Sequence, residues 1–353
     1  VKEYPAEKIR NIAFIGHGTC GKTTLADAVL FNTKTAHRIG SIDAGTTTLD
    51  FSEAEHKRKI SIQLATGFGE WRDTKINLID TPGYDDFTGE VCAGLRVADC
   101  ALLVVNAVSG VEAGSERTFE MARSRNIPTM ICVNMMDKDN ADFAKAVAGA
   151  QALLSEKVVP LQLPIGQGAD FRGLVDLFKM KAYMYKDPSS APVEEDIPDD
   201  LRAQAETARE ALIEAVAEFD DSVIEKYLEG EALSSQEILS ALRLGVAKGG
   251  AYPAMVTSAE KNFGVRRMMD AFVVCFPAPS ELPPVEGTID EETVPLPPDP
   301  SGPPAAFVFK TMIEPHLGEL SLIRVYSGTL SSGSEAWNSN RNTAEKLGQI
   351  YVL

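Results

Sequence analysis

Residues Gly16-His17-Gly18-Thr19-Cys20-Gly21-Lys22-Thr23 follow directly on the apolar run Asn11–Ile15 and open a helical pattern over Thr24–Phe31. A G-x-x-x-x-G-K-T loop between a strand and a helix is a phosphate cradle. Its glycines let successive backbone N–H groups turn inward on an anion, and the helix N-terminus adds the positive end of its dipole. In such a loop Lys22 reaches the β- and γ-phosphates of a nucleotide, and the Thr23 hydroxyl takes a place on Mg²⁺. The chain that surrounds this feature must therefore supply a buried strand, a tight turn and a packed helix in that order.

The next apolar run, Ile76-Asn77-Leu78-Ile79, ends in Asp80-Thr81-Pro82-Gly83. An aspartate at the carboxyl end of a strand lies where open α/β sheets place their ligands. Asp80 fits the role of holding a metal's hydration shell. The N–H of Gly83 fits a γ-phosphate sensor, because glycine permits the conformational flip that such a contact demands. A third apolar run, Thr129–Asn134, leads into Met135-Met136-Asp137. An aspartate here can accept both the N1 and the exocyclic N2 hydrogens of guanine. Adenine offers neither and would leave a buried carboxylate unpaired. Thr257-Ser258-Ala259, after the apolar Ala254–Val256, can offer backbone N–H groups to guanine O6. Each signal is weak alone, but four in this order on strand ends are hard to obtain by accident. They argue against an unrelated P-loop ATPase or kinase.

Strand-like runs at Asn11–Ile15, Ile76–Asp80, Ala101–Asn106 and Thr129–Asn134 alternate with helical patterns, which predicts βαβ units and a mostly parallel sheet. From about Val158 to Pro253 a second region begins with a strand over Pro160–Ile165. It continues with a helix over Leu201–Phe219 that turns Glu206, Arg209, Glu210, Glu214 and Glu218 outward. Phe276 to Pro304, proline-rich and bearing the acidic trio Asp290–Glu292, reads as a linker. The tail that follows is all-β, with strands at Ala306–Lys310 and Leu320–Tyr326. The 34 basic and 51 acidic residues give a net charge of −17, which disfavours a surface that grips polyanions or membranes without specificity. No apolar stretch approaches the ~20 residues of a membrane span. The cysteines Cys20, Cys92, Cys100, Cys132 and Cys275 are odd in number, scattered and without C-x-x-C spacing. They read as reduced thiols of a cytoplasmic protein. Cys20, beside a helix N-terminus, is a candidate redox-sensitive thiol. His17, His37, His56 and His316 lack ligand spacing and are expected to hold no metal.

With these motifs in hand, the chain resembles the translational GTPases, and among them elongation factor G. The resemblance runs from the phosphate loop through Ile79-Asp80-Thr81-Pro82-Gly83, Pro164-Ile165-Gly166, Met180-Lys181-Ala182-Tyr183 and Lys226-Tyr227-Leu228-Glu229-Gly230-Glu231. It ends with Ser258-Ala259 and Arg324-Val325-Tyr326-Ser327-Gly328-Thr329-Leu330. The separation of 121 residues from Asp137 to Ser258 leaves room for the subdomain that elongation factor G inserts there and elongation factor Tu lacks. The resemblance implies an α/β P-loop GTPase G domain over residues 1–157 and 254–285, interrupted by an inserted α+β subdomain over 158–253. A linker over 286–304 and part of a β-barrel over 305–353 would follow. The 49 residues of that last part are too few for a closed barrel of about six strands, so the chain is expected to be a fragment of a longer factor.

The resemblance also implies roles for single residues. Gly16, His17, Gly18, Thr19, Cys20, Gly21, Lys22, Thr23 and Thr24, then Asp80, Thr81, Pro82 and Gly83, then Asn134, Met135, Asp137, Ser258, Ala259 and Glu260, would surround GTP or GDP. Thr23, Ser61 and Asp80 would hold Mg²⁺, and Lys22, Gly83 and Tyr84 would serve catalysis. Expected partners are a guanine nucleotide and the ribosome, through its RNA and stalk proteins, with the protein a cytoplasmic monomer that binds no membrane. The basic run His56-Lys57-Arg58-Lys59 could touch ribosomal RNA or simply face water. The first switch, about 42–62, is expected to order only with a γ-phosphate and Mg²⁺. Five positions depart from the family pattern. The first switch reads Arg58-Lys59-Ile60-Ser61-Ile62 where Arg-Gly-Ile-Thr-Ile is usual. Met135 stands for the usual lysine, Thr19 for an aspartate of the phosphate loop, and Tyr84 for the histidine after Asp-Thr-Pro-Gly. The last two fall on positions tied to hydrolysis. They mark a divergent paralogue and leave two functions open: a slow GTPase acting in translocation or recycling, or a non-hydrolysing GTP-binding switch or decoy at the ribosome.

Overall fold

The computed structural model describes residues 2–289, 292–314 and 318–351. Two compact units divide the chain, residues 8–277 and residues 278–353 with the first seven. In the first unit the elements run β1 (Ile9–Ile15), α1 (Lys22–Asn32), α2 (Glu53–Arg58), β2 (Ala65–Trp71), β3 (Thr74–Asp80), α3 (Thr88–Val97), β4 (Cys100–Asn106), α4 (Ala113–Arg123), β5 (Thr129–Asn134), α5 (Phe143–Leu153), β6 (Val158–Pro160), β7 (Gln162–Ile165), β8 (Gly173–Asp176), β9 (Lys181–Met184), β10 (Val193–Glu195), α6 (Asp199–Ala217), α7 (Asp221–Leu228), α8 (Ser235–Ala247), β11 (Tyr252–Val256) and α9 (Val265–Cys275).

Seven strands form the main sheet in the order β2-β3-β1-β4-β5-β11-β6. All neighbours are parallel except β2 on β3. Strands β4, β5 and β11 are apolar along nearly their whole length because helices cover both faces. Phe14 packs edge-on against Phe272 of α9, which stacks on Phe276, and Phe119 of α4 meets Tyr252. Parallel pairing puts the ends of β1, β3, β5 and β11 on one edge, and the four sequence motifs leave the sheet there.

The inserted region holds an antiparallel sheet, β10-β9-β8-β7, with α6, α7 and α8. Its expected start at residue 158 needs correction. The apolar run Val158–Ile165 contains two strands in two sheets. Val158–Pro160 lies parallel to β11 as an edge of the main sheet, and the chain turns at Leu161, whose N–H donates to Ala254 O. Arg209 also departs from the outward face expected for it. It bonds Leu177 O and Phe178 O, because the turn after β8 leaves carbonyls that need a donor. Glu206, Glu210, Glu214 and Glu218 are exposed.

Among the described residues the second unit contains β-strands and two short 3-10 turns, Pro279–Glu281 and Ala6–Lys8, the latter running across its boundary. The stretch read as a linker folds as a hairpin, β12 (Val285–Ile289) with β13 (Glu292–Leu296). Proline is tolerated there because a two-stranded ribbon has only edges, so Pro295 opposes Glu286 without costing a ladder bond. Of the acidic trio, residues 290 and 291 lie outside the described residues, as does His316. Strand β14 (Ala305–Glu314) pairs antiparallel with β15 (Gly318–Ser327), and β16 (Glu335–Asn338) with β17 (Thr343–Lys346). Among the described residues no helix is long and apolar enough to cross a membrane.

Candidate nucleotide site

The phosphate loop takes its shape from unusual backbone angles. Gly16 has φ 136° and Gly21 φ 84°, both in territory that favours glycine, and a Cβ at Gly16 would strike Val104 O. Thr19 sits at φ 63°, an outlier for a β-branched residue that stores strain in an exposed corner of the loop. Lys22 opens α1 with its stem buried, and its ammonium donates to Gly16 O at 3.1 Å and His17 O at 2.7 Å. The charge therefore lies across the loop mouth on its own backbone. The His17 ring turns the other way, with Nε2 3.6 Å from Glu112 Oε1 and no room for a Cβ on Gly114. Only its backbone belongs to the cradle. Cys20 does not fit the reading as an activated thiol. It is fully buried with Sγ on His17 O at 3.0 Å, and burial pushes its pKa up despite nearby Lys22.

On the far side of Lys22, the Thr23 hydroxyl donates to Asp80 Oδ2 at 2.7 Å and lies 2.9 Å from the Ser61 hydroxyl. Asp80 Oδ1 is buried and bonds no protein group among the described residues. Burial drives the Asp80 carboxyl up to about 7; the Thr23 bond and Lys22 oppose this, and the Asp50 and Glu55 charges reinforce it. An orphaned carboxylate oxygen beside two hydroxyl oxygens, crowded by negative charge, is the donor set of a hard cation. One carboxylate with hydroxyls suits Mg²⁺, which keeps waters and phosphate oxygens in its shell. Thr23, Ser61 and Asp80, the three residues the resemblance names for Mg²⁺, thus lie side by side.

Residues past Asp80 split into two groups. The Thr81 hydroxyl and N–H both bond Phe14 O, at 2.6 and 3.3 Å, so its side chain ties the end of β3 to β1 and does not face the loop. Pro82 is buried. Gly83 presses on the phosphate loop, and a Cβ there would come within 2.5 Å of Gly18 N and of Lys22 Nζ. Tyr84 follows with its ring over Gly18 and 37% of its surface exposed.

The base-reading elements meet across β5 and β11. Asn134, 1% exposed, donates from Nδ2 to Cys20 O at 3.1 Å, and its Oδ1 accepts from Ala259 N at 3.0 Å and Thr257 Oγ1 at 3.1 Å. Its amide is a brace between the two loops. Asp137 Oδ1 accepts from Ser258 Oγ at 2.6 Å, which aims the carboxylate. Lys138 bridges Asp137, 3.5 Å, and the exposed Glu260, 2.5 Å. Met135, at φ 68°, brings its methyl to the Gly21 side of the phosphate loop.

The sequence reading missed the carboxylates behind this front. Asp27, fully buried in α1, accepts from Gly40 N at 2.6 Å and Thr48 N at 2.9 Å. Glu55 accepts from Ile62 N, Gln63 N and Ser52 N at 3.0 to 3.1 Å; burial would raise its pKa, but these bonds hold it below the ordinary range. The Ser52–Glu55 capping box of α2 was a legible signal for the second of these. Together they fold the first-switch segment around α2 and bring Ser61 to Thr23. The run His56–Lys59 closes α2, with His56 Nε2 on Asp50 O at 2.7 Å and Lys59 on Asp43 at 2.8 Å.

Comparison with known proteins gives the family. The model of the elongation factor Tu GTP binding domain matches residues 7–278, and that of elongation factor G domain 2 matches residues 303–353. The chain belongs to the elongation factor G-like translational GTPases. The elongation factors G of Thermotoga maritima and Thermotoga neapolitana are each 42% identical to it over 350 residues, 98% of this chain and 51% and 50% of theirs. A crystal structure from Thermus thermophilus superposes with TM-score 0.85 at 30% identity, covering 99% of this chain and 49% of that one. The chain thus spans about half the length of the elongation factor G relatives it matches.

Proposed function

We propose that this chain binds GTP and GDP with Mg²⁺ and hydrolyses GTP, slowly alone and faster on the ribosome, in a translocation or recycling step in the cytoplasm. The observation that carries the reading is the joint geometry of Thr23, Ser61 and Asp80 beside Lys22 and Gly83, with Asp137 held by Ser258 at the other end of the same sheet edge. Bound there, Mg²⁺ would neutralise phosphate charge, with Thr23, Ser61 and Asp80 holding it and its waters. Lys22 would exchange its two carbonyl partners for phosphate oxygens. Asp137 would take the two hydrogens of guanine, and Gly83 the γ-phosphate. Tyr84 would orient the attacking water by its hydroxyl, which bonds no protein group among the described residues. The glutamates Glu206, Glu210, Glu214 and Glu218 along α6 are the surface proposed for a ribosomal stalk protein, and the protein would act as a monomer.

Tyr84 also supports the second reading, a switch or decoy that holds GTP uncleaved. A phenol, unlike an imidazole, has no cationic form and brings no positive charge to the phosphates. Competition by GTP, GDP, GMP and ATP for a fluorescent GDP, followed by GTP turnover with and without ribosomes, tests both. GTP and GDP should displace the probe far better than ATP. Asp137→Ala should weaken both by about 1–3 kcal/mol, the cost of buried groups left unpaired. Equal competition by ATP and GTP would refute the guanine site, and tight GTP binding without ribosome-stimulated turnover would select the decoy.

A further inference from the structure

Among the glycines of the phosphate loop, Gly18 has no backbone reason to be glycine. Gly16 and Gly21 occupy positive φ, whereas Gly18 does not, and the G-x-x-x-x-G-K-T spacing leaves its position free. What requires the missing side chain is a ring. An added Cβ at Gly18 would lie 2.9 Å from Cε2 and Cζ of Tyr84 and 3.2 Å from Cε1. Carbon atoms in contact sit about 3.5–4.0 Å apart, so the outer half of the phenol occupies the volume a side chain would fill. Cζ carries the hydroxyl, which is thereby held over the loop backbone. The preceding residue lies against the same loop: a Cβ at Gly83 would come within 2.5 Å of Gly18 N and Lys22 Nζ.

We propose that Gly18 is the positioning residue for Tyr84: its bare Cα is the seat that holds the phenol over the mouth of the phosphate loop, so the two positions act as one unit in GTP turnover. The inference rests on the GTPase reading given above. It deepens that reading by assigning the glycine and the tyrosine to one device. A side chain at residue 18 displaces the ring, and a ring at residue 84 requires the bare Cα.

The test is a double-mutant cycle on the full chain with Gly18→Val, Tyr84→Ala and the pair, read by single-turnover GTP hydrolysis on ribosomes and separately by GDP affinity. Gly18→Val should lower turnover by about 100-fold where Tyr84 is present, the scale of a misplaced catalytic group, and by no more than about twofold once Tyr84→Ala has removed the ring. Equal factors in both backgrounds would overturn the proposal. If Gly18→Val loses nucleotide binding, Gly18→Ala replaces it, since a single methyl already meets the ring. An independent readout is acetylation of Tyr84 by N-acetylimidazole, followed by mass spectrometry without ribosomes. Labelling should quicken several-fold in Gly18→Val, and an unchanged rate would refute the seat. A chain that shows no ribosome-stimulated turnover would sink the GTPase reading, while the labelling rates would still decide whether Gly18 seats the ring.

Discussion

Asn134→Ala offers the sharpest test of how the two ends of the nucleotide site are joined. The side chain is 1% exposed and makes three bonds: one to the phosphate loop through Cys20 O, and two to the base-reading loop through Ala259 N and Thr257 Oγ1. Alanine deletes all three and fills none of the space. Each bond is worth about 0.5–1.5 kcal/mol net, and buried partners left unsatisfied move the cost toward the upper end. Thr257 can recover through Cys132 Sγ, 3.0 Å away, so the loss should come to about 3 kcal/mol. Chemical denaturation of the full chain measures that loss, and titration with fluorescent GDP measures its share in binding. Because the amide braces the loops from behind, affinity for GTP and GDP should fall together and discrimination against ATP should persist. Asp137→Ala should instead erode the discrimination. A destabilisation below about 0.5 kcal/mol, the size of an ordinary surface change, would refute the brace. Loss of base selectivity with stability intact would return Asn134 to the role of base reader.

Three further outcomes are expected. Thr19→Asn should raise stability by about 1 kcal/mol, since asparagine tolerates φ 63° and the side chain is exposed; a loss of stability in denaturation would show the corner to be unstrained. Asp27→Ala frees Gly40 N and Thr48 N, so amide exchange at 40–50 should quicken about tenfold or more, while a non-hydrolysable GTP analogue with Mg²⁺ slows mainly the Ser61 end; identical exchange in wild type and variant would remove the tether. Glu206→Lys with Glu214→Lys should reduce ribosome-stimulated turnover and leave GDP affinity unchanged; unchanged turnover would strike α6 from the contact surface.

What the sequence disclosed was whatever depends on contiguous residues. The phosphate loop, Asp80 and Asp137 each follow a run of β-branched residues, and strand ends are where such sheets bind, so their convergence could be inferred before any coordinate. Ser258 lies far along the chain but obeys the same rule. Asp27 was hidden because a carboxylate in Leu25–Phe31 looks like the polar face of a helix, and its partners Gly40 and Thr48 sit in a loop without periodicity. The change of sheet at Leu161 left no trace because both strands are apolar. Proline content misled over Val285–Leu296, since it marks edges as well as linkers. Thr81 was grouped with its neighbours by adjacency alone, although its hydroxyl belongs to β1.

That last contact limits how the segment after β3 can move. Thr81 is pinned to Phe14 O, and Pro82 has a φ locked by its own ring. Tyr84 is seated on Gly18 two residues further on. Between one anchor and the other Gly83 is the one residue with both backbone torsions free, so a backbone swing of the tyrosine turns chiefly at Gly83, with Pro82 contributing only its ψ. The segment is a crank with one bearing, and its throw is short. A methyl group at Gly83 would jam it against Lys22 and Gly18 together, stopping the motion without touching the groups that bind the base.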